Sequence, residues 1–329
     1  MERPARPAAD NIDAGAATIW ALSDGRAGNA RQADALAQAL QAGPVRSHTL
    51  APRWPWRLAA PLRMPGSQHA FGPGFAAGLR APPRVAIGCG RQAALATRLL
   101  RAHDARVVQV LDPRLDPRHW DIVVAPYHDH LHGANVLSTL GSLHPVDDVW
   151  LAQGRAAHPQ LGALPQPRTT VLIGAPSRHA PLDMATCERF ATQLLDGLAD
   201  HGGSILMTAS RRTPTAWRAA LRHRFAHATG VIWLGPEDGA NPYPGLLGWA
   251  DRIVCTPDSV NMISEACATP VPVHVVEPDR TQGRLREFLH VLLGQERIRK
   301  FEPALPSFDV TPLRETARVA REVRSRLEL

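Results

Sequence analysis

Lysine is almost missing: among 329 residues Lys300 stands alone against 36 arginines. With 37 basic and 30 acidic side chains the formal net charge is +7. A GC-rich genome is enough to produce such a skew, but its physical consequence holds either way. Nearly every fixed cation is a planar guanidinium, the group suited to phosphate and carboxylate. Basic charge admits nucleic acid, anionic lipid or a phosphorylated small molecule as partner. No recognised nucleic-acid reader motif is present, so no nucleic-acid partner is expected. Cysteine is scarce and dispersed (Cys89, Cys187, Cys255, Cys267), and no CxxC spacing occurs. That excludes a zinc knuckle or a thioredoxin-type pair, and it suits four buried thiols in a reducing cytoplasm. No segment reaches the ~18 uncharged apolar residues of a membrane span. The first 17 residues carry Arg3, Arg6, Asp10 and Asp13 without a signal-peptide core and read as a disordered leader. GxGxxG and GxxxxGK[ST] are both absent, which excludes the dinucleotide fingerprint and the Walker loop.

Hydrophobic residues make up 44% of the chain and charged residues 20%, a globular balance. The length favours two domains. Short runs of β-branched residues recur as strand signals at Thr18–Leu22, Arg84–Gly88, Val107–Leu111 and Ile122–Ala125. A helical pattern follows the first, with Ala33, Leu36, Ala37 and Leu40 on one face. Between Gly154 and Arg168 a proline-containing stretch lacks periodicity and reads as a linker. Strand signals then restart at Thr170–Gly174, Ser204–Thr208, Val231–Leu234, Arg252–Cys255 and Val271–Val275. Continuous apolar strands alternating with helices predict parallel sheets covered on both faces. The expected organisation is a leader over 1–17, a Rossmann-like domain over 18–160, a second over 161–305 and a C-terminal helix over 306–329. Leu313, Ala317, Ala320 and Val323 form the apolar side of that last helix. In such α/β folds ligands bind beyond the carboxyl ends of the strands, so a cleft between the two domains is the expected site.

Five segments carry candidate chemistry or a candidate contact surface. Strand Arg252–Cys255 runs into Thr256-Pro-Asp-Ser-Val-Asn-Met-Ile-Ser-Glu265. Thr256 or Asp258 is expected to cap the helix, and Pro257 to sit in its first turn. Its free N–H groups suit a phosphate, Ser259 and Asn261 add neutral polar groups, and Glu265 suits a sugar diol. Ser210-Arg211-Arg212-Thr213-Pro214 places two guanidinium groups at another strand-to-helix turn, where an anion would offset their repulsion from the helix dipole. Ser23-Asp24-Gly25-Arg26-Ala27-Gly28-Asn29 is a glycine-bearing strand-to-helix turn in the first half. Pro126-Tyr-His128-Asp129-His130-Leu-His132 offers a His–Asp pair as a general base. Its histidines stand too close in sequence to close a tetrahedral shell, so no metal is expected. Finally, Pro52-Arg-Trp54-Pro-Trp56-Arg57 mixes tryptophan and arginine in the manner of a headgroup interface, or of a proline-broken loop packed on its domain.

Taken together, Trp20 to Asn29, Pro126-Tyr-His-Asp, Gly133-Ala-Asn-Val, Ser210-Arg-Arg-Thr-Pro and Thr256 to Ala266 resemble the ELM1 family, named for a plant protein of mitochondrial fission. The resemblance spans about Thr18 to Glu302, and Asp258 to Ala266 is its most specific part. It implies an α/β fold of the GT-B type, the two-Rossmann architecture of nucleotide-sugar glycosyltransferases and non-hydrolysing UDP-sugar 2-epimerases. By that likeness the donor nucleotide would lie on Ser259 and Glu265, with Ser210, Arg211 and Arg212 near its diphosphate. The turn with Asp24, Gly25 and Gly28 would face acceptor or donor phosphates, and His128 or Asp129 would be the base. Ala268-Thr-Pro-Val and Gly174-Ala-Pro-Ser depart from the glycine-rich loops of GT-B enzymes and make those loops stiffer. The implied activity is metal-independent glycosyl transfer to a cell-envelope acceptor, with no cofactor besides the sugar-nucleotide substrate. A nucleoside-diphosphate-sugar epimerase or hydrolase and a non-catalytic adaptor are the alternatives, and a peripheral membrane contact through Trp54 and Trp56 is compatible with each.

Overall fold

The computed structural model describes residues 18–329, so the expected leader over 1–17 lies outside the described residues. The chain divides into two compact units, one running through Pro145 and regaining Glu315–Leu329, the other spanning Val146–Arg314.

The first unit is built from β1 (Ile19–Ser23), α1 (Ala27–Leu40), β2 (Val45–Thr49), α2 (Trp56–Ala59), α3 (Pro73–Gly78), β3 (Val85–Cys89), α4 (Arg91–Arg101), β4 (Arg106–Val110), β5 (Ile122–Pro126) and β6 (Val136–Thr139). All six strands are parallel, in the order β2-β1-β3-β4-β5-β6. Side chains alternate across the sheet, so the apolar strands feed two cores. Ile19, Ala21, Val85 and Ile87 pack on one face with Leu36 and Leu40 of α1. Trp20, Leu22, Ala86 and Val107 pack on the other with Leu95 and Leu99 of α4. Each fully buried Leu or Ile contributes roughly 1.5–3 kcal/mol.

The second unit contains α5 (Asp148–Ala157), β7 (Arg168–Ile173), α6 (Met184–His201), β8 (Ser204–Ala209), α7 (Thr215–Arg224), β9 (Gly230–Trp233), α8 (Tyr243–Gly248), β10 (Arg252–Cys255), α9 (Val260–Cys267), β11 (Val273–Val275), α10 (Gly283–Gly294) and β12 (Arg299–Lys300). Its sheet is also wholly parallel, in the order β12-β11-β10-β7-β8-β9.

The division falls between Pro145 and Val146, upstream of the expected linker. The reason is α5, which docks on α8 closely enough that a Cβ on Gly154 would lie 2.3 Å from the Pro244 carbonyl oxygen. Arg155 donates to the Gly248 carbonyl and the Trp249 indole to that of His158, which ties the supposed linker into the second unit. The tail helix α11 (Glu315–Leu327) instead belongs to the first unit. Val319, Ala320, Val323 and Leu327 enter its core beside α1, while Ala317, expected on that face, is exposed. Thr316 exchanges hydrogen bonds with the His144 backbone at 3.0 and 2.8 Å and holds the start of the helix in place.

Each strand order contains one point where successive connections leave in opposite directions. It lies between β1 and β3 in the first sheet and between β7 and β10 in the second. Loops diverge there, and a crevice opens outside the carboxyl ends of the strands.

Candidate functional site

The second unit's switch point is formed by Gly174-Ala175 after β7 and by Thr256 to Ser259 after β10. The α9 cap is Ser259, whose hydroxyl accepts from the Met262 N–H at 3.3 Å. Thr256 and Asp258, the residues expected to cap, cross to β7 instead, and Pro257 precedes the helix. Thr256 accepts the Gly174 N–H at 2.7 Å and donates to Asp258 at 2.7 Å, while the Ala175 N–H reaches the other carboxylate oxygen at 2.8 Å. A Cβ on Gly174 would lie 2.1 Å from both oxygens of Asp258, so the glycine is required by this clasp. Asp258 is therefore turned inward and fully engaged, and it shapes the loop on which a ligand would rest.

Burial raises the Asp258 pKa above the usual carboxylate range, against the lowering effect of the Ala175 and Thr256 hydrogen bonds and the Arg212 charge. A carboxyl whose native pKa exceeds its unfolded value stabilises the fold fully below the unfolded value, and that contribution is lost as pH rises through the native one. Asp258→Asn keeps an acceptor for Ala175 without the charge. The stability of the variant relative to the natural protein is therefore expected to improve from about pH 4 to neutrality, as read from melting temperatures across that range. A constant difference would show that the carboxylate is not held against burial.

Around this clasp stand the other expected donor residues. Arg211 and Arg212 are exposed at the carboxyl end of β8, and neither guanidinium makes an ion pair or hydrogen bond among the described residues. The turn beneath them is rigid. Thr213 donates to the Gly174 carbonyl at 2.7 Å and shares a 3.0 Å contact with the Ser210 hydroxyl, while Arg218 donates to the Ser210 and Arg211 carbonyls. Helix α7 begins at Thr215 with no side-chain cap, and Thr213 acts as a cross-link to the β7 loop. Asn261, half-buried in the first turn of α9, makes no side-chain hydrogen bond among the described residues. Glu265 is 4% exposed and receives a hydrogen bond from the Tyr243 hydroxyl. Tyr243 escaped the sequence reading, although the chain has only two tyrosines and both stand where a new turn of helix begins.

In the first unit the β1–α1 turn lies at the other switch point. Gly25 has φ +77°, and a Cβ there would meet Thr49 at 2.9 Å. Asp24 accepts from the Arg26 N–H and from the Asn29 amide at 2.9 Å. Asn29 in turn covers Gly90 (φ +89°), where a Cβ would lie 2.6 Å from its amide nitrogen. Asn29, the last residue of that turn, and Gly90, which no sequence motif includes, thus connect the two loops of the crevice. Gly28 lies in the first turn of α1, a helix with no side-chain cap.

The histidine-rich segment is split by the fold. His128 sits on a helical turn directly after β5 and is 6% exposed, its ring 6.1 Å from that of Tyr127, with Asp129 half-buried beside it. His132 lines a cavity of about 620 Å³ at the amino ends of β4 and β5, together with Arg106, Asp121 and Asn135. Among the described residues no group of three or more His, Cys, Asp or Glu is placed to hold a metal ion. All four cysteines are buried and unbridged, and burial raises each thiol's pKa, that of Cys187 to about 11. No helix among the described residues is long and apolar enough to cross a membrane.

Two doubly wound parallel sheets, each with its own switch point, make this an α/β protein with the fold of the GT-B class. The UDP-GlcNAc 2-epimerase of Methanocaldococcus jannaschii superposes with a TM-score of 0.52 at 12% identity, covering 94% of this chain and 99% of that one. MnaA of S. aureus, solved with UDP, gives 0.50 at 12% identity, covering 95% and 97%. The chain belongs to the ELM1 family: the family model described as mitochondrial fission ELM1 matches residues 27–327. It is 32% identical over 276 residues to the mitochondrial fission protein ELM1 of Arabidopsis thaliana, a match covering 74% of this chain and 64% of the plant protein. The chain thus spans under two thirds of that relative's length. An uncharacterized protein of Rickettsia prowazekii is 24% identical over 352 residues, covering 94% of this chain and 99% of its own.

Proposed function

We propose that the carboxyl edge of the second unit's sheet binds the diphosphate of a nucleoside-diphosphate sugar, and that the protein transfers this sugar to a cell-envelope acceptor without a metal ion. The observation that carries this reading is the Arg211–Arg212 pair, two exposed guanidinium groups that make no ion pair or hydrogen bond among the described residues, on a turn braced to the β7 loop. Cations held open at the end of a parallel strand match a dianionic leaving group in number and geometry. Asn261 offers an unengaged amide, and Ser259 belongs to the same capped helix start. Glu265, held by Tyr243, is the acceptor assigned to the ribose diol. In fold neighbours the same architecture carries UDP or is named for UDP-sugar chemistry, which supports the donor class.

Transfer forms a bond between the acceptor oxygen and the sugar C1 and breaks the bond from C1 to the diphosphate. The acceptor proton is assigned to His128, with Asp129 beside it, and the charge left on the diphosphate to Arg211 and Arg212. Stabilising that charge is commonly a large catalytic contribution, on the order of several kcal/mol. The test is incubation with a panel of UDP-sugars, with and without lipid and saccharide acceptors. Transfer is expected only when an acceptor is present. Sugar-nucleotide conversion without any acceptor would replace the reading with an epimerase or hydrolase on the same donor site.

The near-complete burial of His128 favours a second reading, a non-catalytic adaptor on this scaffold. That reading expects His128→Ala to leave the protein's function unchanged, whereas the transferase reading expects loss of turnover with nucleotide binding retained.

A further inference from the structure

The connection from β2 to β3 presents a surface that the sugar-nucleotide reading does not use. Among the described residues six large hydrophobic side chains are exposed, and four fall within eleven positions: Trp54 (78%), Leu58 (70%), Leu62 (53%) and Met64 (44%). Trp56, paired with Trp54 in the sequence reading, turns inward and packs against the first unit's core. The segment is anchored, so the exposure is a property of a built surface. Ala60, Ala70, Phe75 and Leu79 are buried in the same core, the Arg53 N–H donates to the Ala70 carbonyl at 2.8 Å, and Arg98 donates to the Pro61 carbonyl at 2.8 Å.

Charge on this segment has one sign. No Asp or Glu occurs between Asp34 and Asp104, while nine arginines do. Arg53, Arg57 and Arg63 alternate with the exposed apolar residues, are themselves exposed, and make no side-chain ion pair or hydrogen bond among the described residues. A protein interface of this composition would need a partner with closely spaced carboxylates around an apolar centre. An anionic bilayer offers both features at once, phosphates at the surface and hydrocarbon just beneath. We infer that the Trp54–Met64 platform is a membrane-docking surface for anionic phospholipid, with Trp54, Leu58, Leu62 and Met64 entering the acyl boundary and Arg53, Arg57 and Arg63 binding headgroup phosphates. It stands independently of the donor assignment.

The test is co-sedimentation of the full chain with phosphatidylcholine vesicles containing about one phosphatidylglycerol in three, at about 0.1 M salt. Binding to these vesicles and not to pure phosphatidylcholine is expected. Arg57→Gln with Arg63→Gln should weaken partitioning about twenty-five-fold, as two basic contacts of about a factor of five each. Leu58→Ser with Leu62→Ser should weaken it comparably, and both pairs should leave the melting temperature unchanged because the replaced side chains are exposed. Quenching by brominated lipid should disappear in Trp54→Phe and persist in Trp56→Phe. The inference is overturned by absence of binding to anionic vesicles. It is equally overturned by binding that neither pair of substitutions alters, or by a dimer in solution that Leu58→Ser dissociates while vesicle binding is nil, which would make a second copy the occupant.

Discussion

Replacing Arg211 and Arg212 together with alanine is expected to weaken UDP binding by about two to four orders of magnitude, since each charge-assisted hydrogen bond to phosphate contributes roughly 1.5–3 kcal/mol. Both side chains are exposed and make no bond within the described protein, so the variant should melt like the natural chain. Calorimetry then reports the ligand term alone. Arg→Lys at the two positions should recover only part of the affinity, because an ammonium is a point charge and cannot fork onto two phosphate oxygens. The residual affinity of the alanine variant should depend less on salt. UDP binding with undiminished affinity would remove the donor site from this turn.

The second large effect is expected at Arg297, which no motif identified. The residue is 5% exposed, and its guanidinium faces no carboxylate among the described residues and reaches the carbonyls that close α9 and its following turn. Nε and Nη2 donate to Cys267 at 3.0 and 2.7 Å, and Nη2 also donates to Thr269 at 2.8 Å. Burial lowers its pKa from the normal arginine value, yet the cation sits where the helix dipole is negative and where carbonyls would otherwise lack partners. Arg297→Ala should therefore cost about 3–4 kcal/mol of second-unit stability, the order expected when buried acceptors lose a charged donor. Arg297→Lys should restore less than half, since one ammonium cannot span Cys267 and Thr269 together. Urea titration followed by fluorescence measures both. A loss below about 1 kcal/mol would mean that water replaces the guanidinium at those carbonyls.

The two predictions probe the β8–α7 turn and the carboxyl end of α9, and they differ in how visible their residues are in the chain. Arg211 and Arg212 stand out because charge clusters where an apolar run stops. Arg297 lies in Gln-Glu-Arg-Ile-Arg-Lys and looks there like one more solvated arginine. A similar contrast holds for the strands. Arg252–Cys255 is found at its observed limits, and the other apolar runs lie within a few residues of theirs, because a strand buried on both faces is predominantly apolar. Val45–Thr49 and Val136–Thr139 escaped because they are edge strands with polar, partly exposed residues, and Arg299–Lys300 because two residues carry no period.

Composition, spacing and motif determined the parallel α/β class, the kinship of the chain and the segments where ligand chemistry can sit. These follow from local rules, since side-chain periodicity and turn chemistry act over a few residues. Only the tertiary structure decided how each polar group is employed. It turned Asp258 into a clasp over Gly174, gave the α9 cap to Ser259, paired Glu265 with Tyr243 and left Arg211 and Arg212 open. It also moved α5 into the second unit and returned α11 to the first, across more than 160 residues of chain. Desolvation is the common reason. A side chain's partner and the cost of its burial depend on atoms brought near by the fold, and those neighbours are distant in sequence.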